Sequence, residues 1–163
     1  MKKKPKKTNA VRLLDSHGIG CELREYDVDE HDLGGLYVAR EIGLPPPQVF
    51  KTLLVSGDKT GFFFACVPVD AELDLKRLAA ESNNKKVELV PVRDILGLTG
   101  YIRGGVSPIG AKKRFAVFMH ESAFSFPFIS LSAGVRGCQM LVDPSDLDSI
   151  VEIHRCDIAR YEN

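Results

Sequence analysis

The chain has 163 residues, 44% of them hydrophobic, with 22 basic and 22 acidic residues and a formal charge of zero. This length predicts a single domain whose core needs no metal or disulfide staple, and no apolar run approaches the roughly 18 residues of a membrane-spanning helix. Lys2, Lys3, Lys4, Lys6 and Lys7 crowd the N-terminus and leave the rest of the chain net acidic, so bulk charge does not recruit nucleic acid; only the tail or a local basic cluster would.

Residues 1–7 read as a solvated, disordered basic tail and residues 8–163 as the folded domain. No apolar stretch follows the lysines as in a signal peptide, so a cytoplasmic chain is expected. Thr8 reads as a helix N-cap, with Val11, Leu13 and Leu14 on the apolar face and Gly18 as the stop. Ile19, Cys21 and Leu23 alternate with polar residues, which predicts a half-buried strand ending near Tyr26. Asp27–Gly35 is an acidic, glycine-tipped loop. Leu36–Ile42 is a short helix closed by Gly43, and Pro45-Pro46-Pro47 forces an extended or first-turn entry into Gln48-Val49-Phe50.

Lys51–Val55 and Phe62–Val67 flank a polar turn over Ser56–Gly61 and predict a hairpin. Both runs are apolar on both faces, so the sheet is expected to be covered on each side. Asp74 caps a helix with Leu75, Leu78 and Ala79 on its face. Lys85–Val90 reads as strand, and Pro91–Leu96 as a short helical turn. Phe115–Met119, Phe128–Ser132 and Cys138–Val142 read as buried strands. Asp143-Pro144 opens a helix with Leu147, Ile150 and Val151 inward, and the last ten residues read as strand or turn. Six or more strands with about five helices and no βαβ rhythm predict one α+β domain.

Chemistry-bearing residues are few. Cys21, Cys66, Cys138 and Cys156 form no C-x-x-C, so they read as reduced thiols. His17, His31, His120 and His154 have no metal-ligand spacing, and His31 sits in a solvated acidic loop. Lys51 heads an otherwise apolar strand. It is either a strand-end lysine in solvent or an ammonium aimed into a polar pocket to hold a carboxylate, phosphate or oxyanion. Gly100–Gly110 carries four glycines ahead of Lys112-Lys113-Arg114 but lacks the G-x-x-x-x-G-K-[ST] of a phosphate loop. It is either a structural turn or a wall of backbone donors. Ser132-Ala133-Gly134-Val135-Arg136-Gly137 is a second glycine-flanked turn and no nucleophile elbow.

Taken in order, Val49-Phe50-Lys51-Thr52-Leu53, Leu73-Asp74-Leu75-Lys76, Lys85-Lys86-Val87-Glu88, Thr99-Gly100-Tyr101-x-x-Gly104-Gly105-x-Ser107-Pro108-x-Gly110-x-Lys112-Lys113 and Ser132-Ala133-Gly134-x-Arg136-Gly137 resemble the YbaK/EbsC family of Cys-tRNA(Pro) deacylases. That family is related to the editing insertion of bacterial prolyl-tRNA synthetases. The resemblance implies a mixed, partly barrel-like sheet surrounded by helices and hydrolysis of the ester that joins a wrong amino acid to a tRNA 3′ end. It implies no cofactor and no metal. The implied partners are aminoacylated tRNA and prolyl-tRNA synthetase.

The resemblance implies catalytic roles for Lys51, Gly104 and Gly105, and substrate-binding roles for Tyr26, Thr52, Tyr101, Ser107, Ser132 and Arg136. Two positions depart from the family pattern: Ala133 replaces a glycine, and Gln139 stands where an acid is frequent. These departures keep two alternatives open, a non-catalytic module that binds aminoacyl-tRNA or synthetase and a deacylase of Ala-tRNA(Pro). The implied mechanism is a positioning pocket in which the substrate's own thiol serves as nucleophile.

Overall fold

Thr8 opens the first helix as its sequence predicts: its hydroxyl oxygen accepts from the Val11 N–H, and α1 (Asn9–Ser16) buries Ala10, Val11 and Leu14. Such a cap stabilises a helix by about 1 kcal/mol. The computed structural model describes residues 7–161, so the tail up to Lys6 lies outside the described residues; Lys7 pairs with Asp15 at 2.6 Å.

The chain continues through β1 (Glu22–Glu25), α2 (Gly35–Ile42), a 3₁₀ turn over Pro46–Gln48, β2 (Phe50–Gly57), β3 (Gly61–Pro68), β4 (Glu72–Leu73), α3 (Leu75–Glu81) and β5 (Val87–Leu89). It then forms α4 (Val92–Thr99), β6 (Val117–His120), β7 (Ile129–Ser132), β8 (Cys138–Val142), β9 (Ile153–Cys156) and β10 (Ala159–Arg160). Gly43 closes α2 in the left-handed conformation, and the Asp74 side chain caps α3 by accepting from the Arg77 N–H.

Four local expectations change. The turn expected at Pro91–Leu96 runs on to Thr99, where a left-handed Gly100 stops it. The strand expected from Phe115 starts at Val117 and reaches His120, because its pairing to β3 begins at Val117. Leu75 sits at the first position of α3 and is 39% exposed, leaving Leu78 and Ala79 as the buried face. The segment after Asp143 winds as a 3₁₀ helix over Pro144–Ser149, though Leu147, Ile150 and Val151 are buried as expected.

A five-stranded mixed sheet has the order β5-β2-β3-β6-β9, in which β3–β6 and β6–β9 are parallel. A three-stranded antiparallel sheet has the order β1-β8-β7, and β4 pairs with β10. An isolated parallel bridge between Val49 and Ser130 joins the two larger sheets along one edge. The β2–β3 hairpin is covered on both faces. Phe50, Leu54, Phe64 and Cys66 pack with Met119, Leu131 and Met140. On the other face Val55, Phe63, Ala65 and Val67 pack with Leu78, Phe118 and Ile158. Each fully buried Leu or Phe contributes about 1.5–3 kcal/mol. Near the start of β2 the cover is incomplete at Lys51, Thr52 and Leu53, which are half-buried.

Candidate functional site

The incomplete cover marks a cavity of about 380 Å³. Its origin is a gap in strand pairing. β5 pairs with β2 at Val55–Gly57, and the Val90 N–H still reaches the Leu54 carbonyl at 3.0 Å. At the other end Val49 is bridged to Ser130. Between these points no strand of the described residues pairs with that edge of β2. Backbone direction alternates along a strand, so the N–H and C=O of Thr52 project from the same edge as those of Leu54.

Several parts of the chain close the space. β2 contributes Lys51 and Thr52, and β7 and β8 contribute the cross-strand partners Ser132 and Gln139. The start of α2 adds Gly34, Gly35 and Val38; Gly35 is required there, because a Cβ would lie 2.2 Å from a Val69 methyl. The loop after α4 adds Arg103, Gly104 and Val106, and Leu89, Val92 and Ile95 supply apolar surface. Among the described residues the lining holds two cations, Lys51 and Arg103, and no carboxylate.

Lys51 shares its strand face with Leu53 and Val55 and is half-buried. Burial lowers the pKa of its ammonium, and the charges of Glu72 and Asp70 oppose that shift. No carboxylate of the described residues lies within ion-pair distance of it. Thr52 faces the opposite way, its Oγ1 3.4 Å from Cys66 Sγ. Cys66 is fully buried, and burial pushes its thiol up to about 12, so it offers no nucleophile at neutral pH.

Ser132 is 8% exposed, and its oxygen accepts from the Gly134 N–H at 3.1 Å. Gln139 is 5% exposed, and its Oε1 accepts from Ser130 Oγ at 2.7 Å.

The two glycine-flanked turns interlock. A Cβ on Gly105 would lie 3.0 Å from the Val135 backbone carbonyl carbon, and one on Gly134 would lie 2.9 Å from the Tyr101 ring. Arg136 Nε donates to the Arg103 carbonyl at 2.7 Å. This clasp sets Gly104 at the cavity. Lys51, Thr52, Gly104 and Ser132 thus meet in one place, with Gly105 and Arg136 directly behind the loop.

Tyr101 is buried beneath the loop, where its hydroxyl donates to the Ile109 carbonyl at 2.7 Å and burial pushes its pKa up to about 12. Ser107 is fully buried, and its Oγ has no hydrogen-bond partner among the described residues. Tyr26 does not line the cavity; its N–H donates to the Gly137 carbonyl, and its ring meets Tyr37 edge-on.

Sequence reasoning did not find Arg103, Val106 or the start of α2 as lining residues. The Gly34-Gly35 doublet ahead of an apolar helix was the available signal. Elsewhere Ser122 Oγ, His120 and Asp157 line up, with Ser122 at 2.8 Å from Nδ1 and Asp157 at 3.3 Å from Nε2. There Nδ1 caps a 3₁₀ turn by accepting from the Ser122 N–H, and Asp157 also holds Arg77; the trio does not line the cavity. Among the described residues no group of three or more His, Cys, Asp or Glu is placed to hold a metal ion, and no helix is long and apolar enough to cross a membrane.

Comparison with known proteins shows the family. Over nearly its full length, 99%, the chain is 40% identical to an Enterococcus faecalis protein provisionally named a Cys-tRNA(Pro)/Cys-tRNA(Cys) deacylase, EbsC, and covers 98% of it. It is 35% identical to 13% of a Fervidobacterium nodosum proline–tRNA ligase, over 46% of this chain. A crystal structure provisionally described as a trans-editing enzyme for prolyl-tRNA synthetase superposes with a TM-score of 0.83 at 19% identity, over 98% of this chain and 99% of that one. Residues 37–150 match the family model of the aminoacyl-tRNA editing domain, and the chain belongs to that family.

Proposed function

We propose that this chain is a trans-editing deacylase that hydrolyses the ester between a wrong amino acid and the 3′ end of tRNA, with Cys-tRNA(Pro) as its foremost substrate. The observation that carries the reading is the cavity itself, open along a strand edge, and among the described residues lined by two cations and no carboxylate. Such a lining suits a phosphate-bearing 3′ end with an uncharged acyl side chain. Lys51 anchors the terminal adenosine through its phosphate. The backbone of Gly104, with Gly105 behind it, positions the ester carbonyl, and Thr52 and Ser132 line the acyl pocket. Arg136 and Tyr26 serve the approaching tRNA from outside the cavity, while Tyr101 and Ser107 support the loop.

An ester is already activated relative to an amide, so positioning and electrostatics supply the rate without a protein nucleophile. The attacking group is water or the thiol of a cysteinyl substrate. Aminoacyl-tRNA and prolyl-tRNA synthetase are the partners this reading requires, and the cytoplasm is where they meet. Residues from Thr8 onward act as one editing domain.

The test is a deacylation time course with Cys-, Ala- and Pro-tRNA(Pro). Rapid loss of the cysteinyl ester with Pro-tRNA(Pro) preserved is the expected result. Faster loss of the alanyl ester would move the substrate to Ala-tRNA(Pro). Tight binding without turnover of any ester would overturn the deacylase reading.

A further inference from the structure

Ser130, Ser132 and Gln139 share one face of the β7–β8 pair, since Ser132 stands directly opposite Gln139 and Ser130 lies two residues back. Ser130 is fully buried, and Gln139 Oε1 is the acceptor for its hydroxyl. The reversed carboxamide would leave the Ser130 proton without an acceptor in a dry site, at a cost of about 1–3 kcal/mol. The amide Nε2 of Gln139 is therefore not held by Ser130 and has no acceptor among the described residues, and Gln139 lines the cavity. Ser132 is alike: its oxygen accepts from the Gly134 N–H, and its own proton has no acceptor among the described residues. Each group has its oxygen engaged from within the fold and is left with donors for whatever enters.

We propose that Gln139 Nε2 and Ser132 Oγ form the donor pair that receives the ester carbonyl oxygen as it becomes an oxyanion. The proposal rests on the deacylase reading and adds the groups that stabilise its transition state. The nucleophile, water or the thiol of a cysteinyl substrate, adds to the carbonyl carbon, and the π pair of the C=O bond moves onto oxygen, where the two donors meet it. On collapse that pair re-forms the C=O bond, and the bond to the ribose oxygen breaks. The ribose oxygen leaves with its electron pair and takes the proton that the nucleophile has given up, so water yields the free amino acid and the thiol yields a cyclic thioester. A wall with free donors suits the carbonyl oxygen.

Gln139→Met keeps the volume of the side chain and removes its donors. It is assayed against Cys-tRNA(Pro) and the thiol-free Ala-tRNA(Pro), with saturation kinetics on each. The proposal expects kcat to fall on the order of 10²-fold with KM nearly unchanged, by the same factor on both esters. Ser130→Ala, which frees the carboxamide without altering a cavity-lining residue, is expected to cost about tenfold in kcat with KM retained. That second variant keeps the test open if Gln139→Met fails to fold. Unchanged kcat in either folded variant, a loss confined to KM, or a loss confined to the cysteinyl ester would overturn the proposal. Wild-type protein that hydrolyses neither ester would instead overturn the deacylase reading, a result distinct from an active wild type matched by its Gln139→Met variant.

Discussion

Lys51 and Thr52 are neighbours on β2, point to opposite faces of the sheet, and line the same cavity. Two successive strand residues share a cavity where the strand's edge is open, and β2 has no paired strand on that edge between the Val49–Ser130 bridge and the Val90–Leu54 hydrogen bond. The gap brings a partly desolvated ammonium, a strand backbone and the Ser132–Gln139 wall around one space.

The depressed pKa of Lys51 has a consequence for stability. Burial places it below its ordinary value of 10.5. The folded state therefore holds this proton less tightly than the unfolded chain. The cost of the charged form stands in full below the folded pKa, and stability rises with pH from there up to 10.5. Lys51→Met removes this dependence. The variant is expected to exceed wild type in urea stability at neutral pH, with the gap narrowing as the pH approaches 10.5. A gap that does not vary with pH would contradict the assignment.

The loop that carries Gly104 is anchored at Gly110. This glycine has φ +80°, and a Cβ there would lie 2.6 Å from Tyr101 Oη and 2.7 Å from the Ala10 nitrogen. Gly110→Ala is expected to lose about 2 kcal/mol or more, seen as a fall in Tm of about 4–8 °C. Tyr101→Phe unpairs the buried Ile109 carbonyl and is expected to cost about 1 kcal/mol by urea denaturation.

Thiol reactivity provides an independent check on packing. Cys21 is half-buried, whereas Cys66 and Cys156 are buried with thiols pushed up to about 12 by desolvation. In native protein at neutral pH a thiol-disulfide reagent is expected to modify Cys21 first and to reach Cys66 and Cys156 only on unfolding. Rapid native labelling of Cys66 would contradict its position behind Thr52.

Local chemistry was legible in the sequence wherever one residue decides the outcome. Thr8 and Asp74 cap their helices, Gly43 ends α2, and the polar turn between two apolar runs forms the β2–β3 hairpin. Parallel pairing of β3 with β6 and of β6 with β9 left no local trace, because neither partner is brought in by a turn. That pairing also moved the start of β6 from Phe115 to Val117.

In the site, Lys51, Thr52, Gly104 and Ser132 were nameable from their motifs. Arg103 and the start of α2 were not, since their place depends on how the Gly100–Gly110 loop clasps the Ala133–Gly137 turn. The polarity of Gln139 was also invisible, because it is set by Ser130 on the adjacent strand.

The account turns on whether this cavity hydrolyses an aminoacyl ester with Lys51 as its anchor. The most direct measurement is the deacylation of Cys-tRNA(Pro) by wild type and Lys51→Ala side by side, with circular dichroism confirming that the variant is folded. Lys51 has no ion-pair partner among the described residues, so the variant is expected to keep the wild-type spectrum and a cooperative unfolding transition while its deacylation rate falls by about 10²-fold or more. Wild-type activity in a folded Lys51→Ala protein would contradict the account.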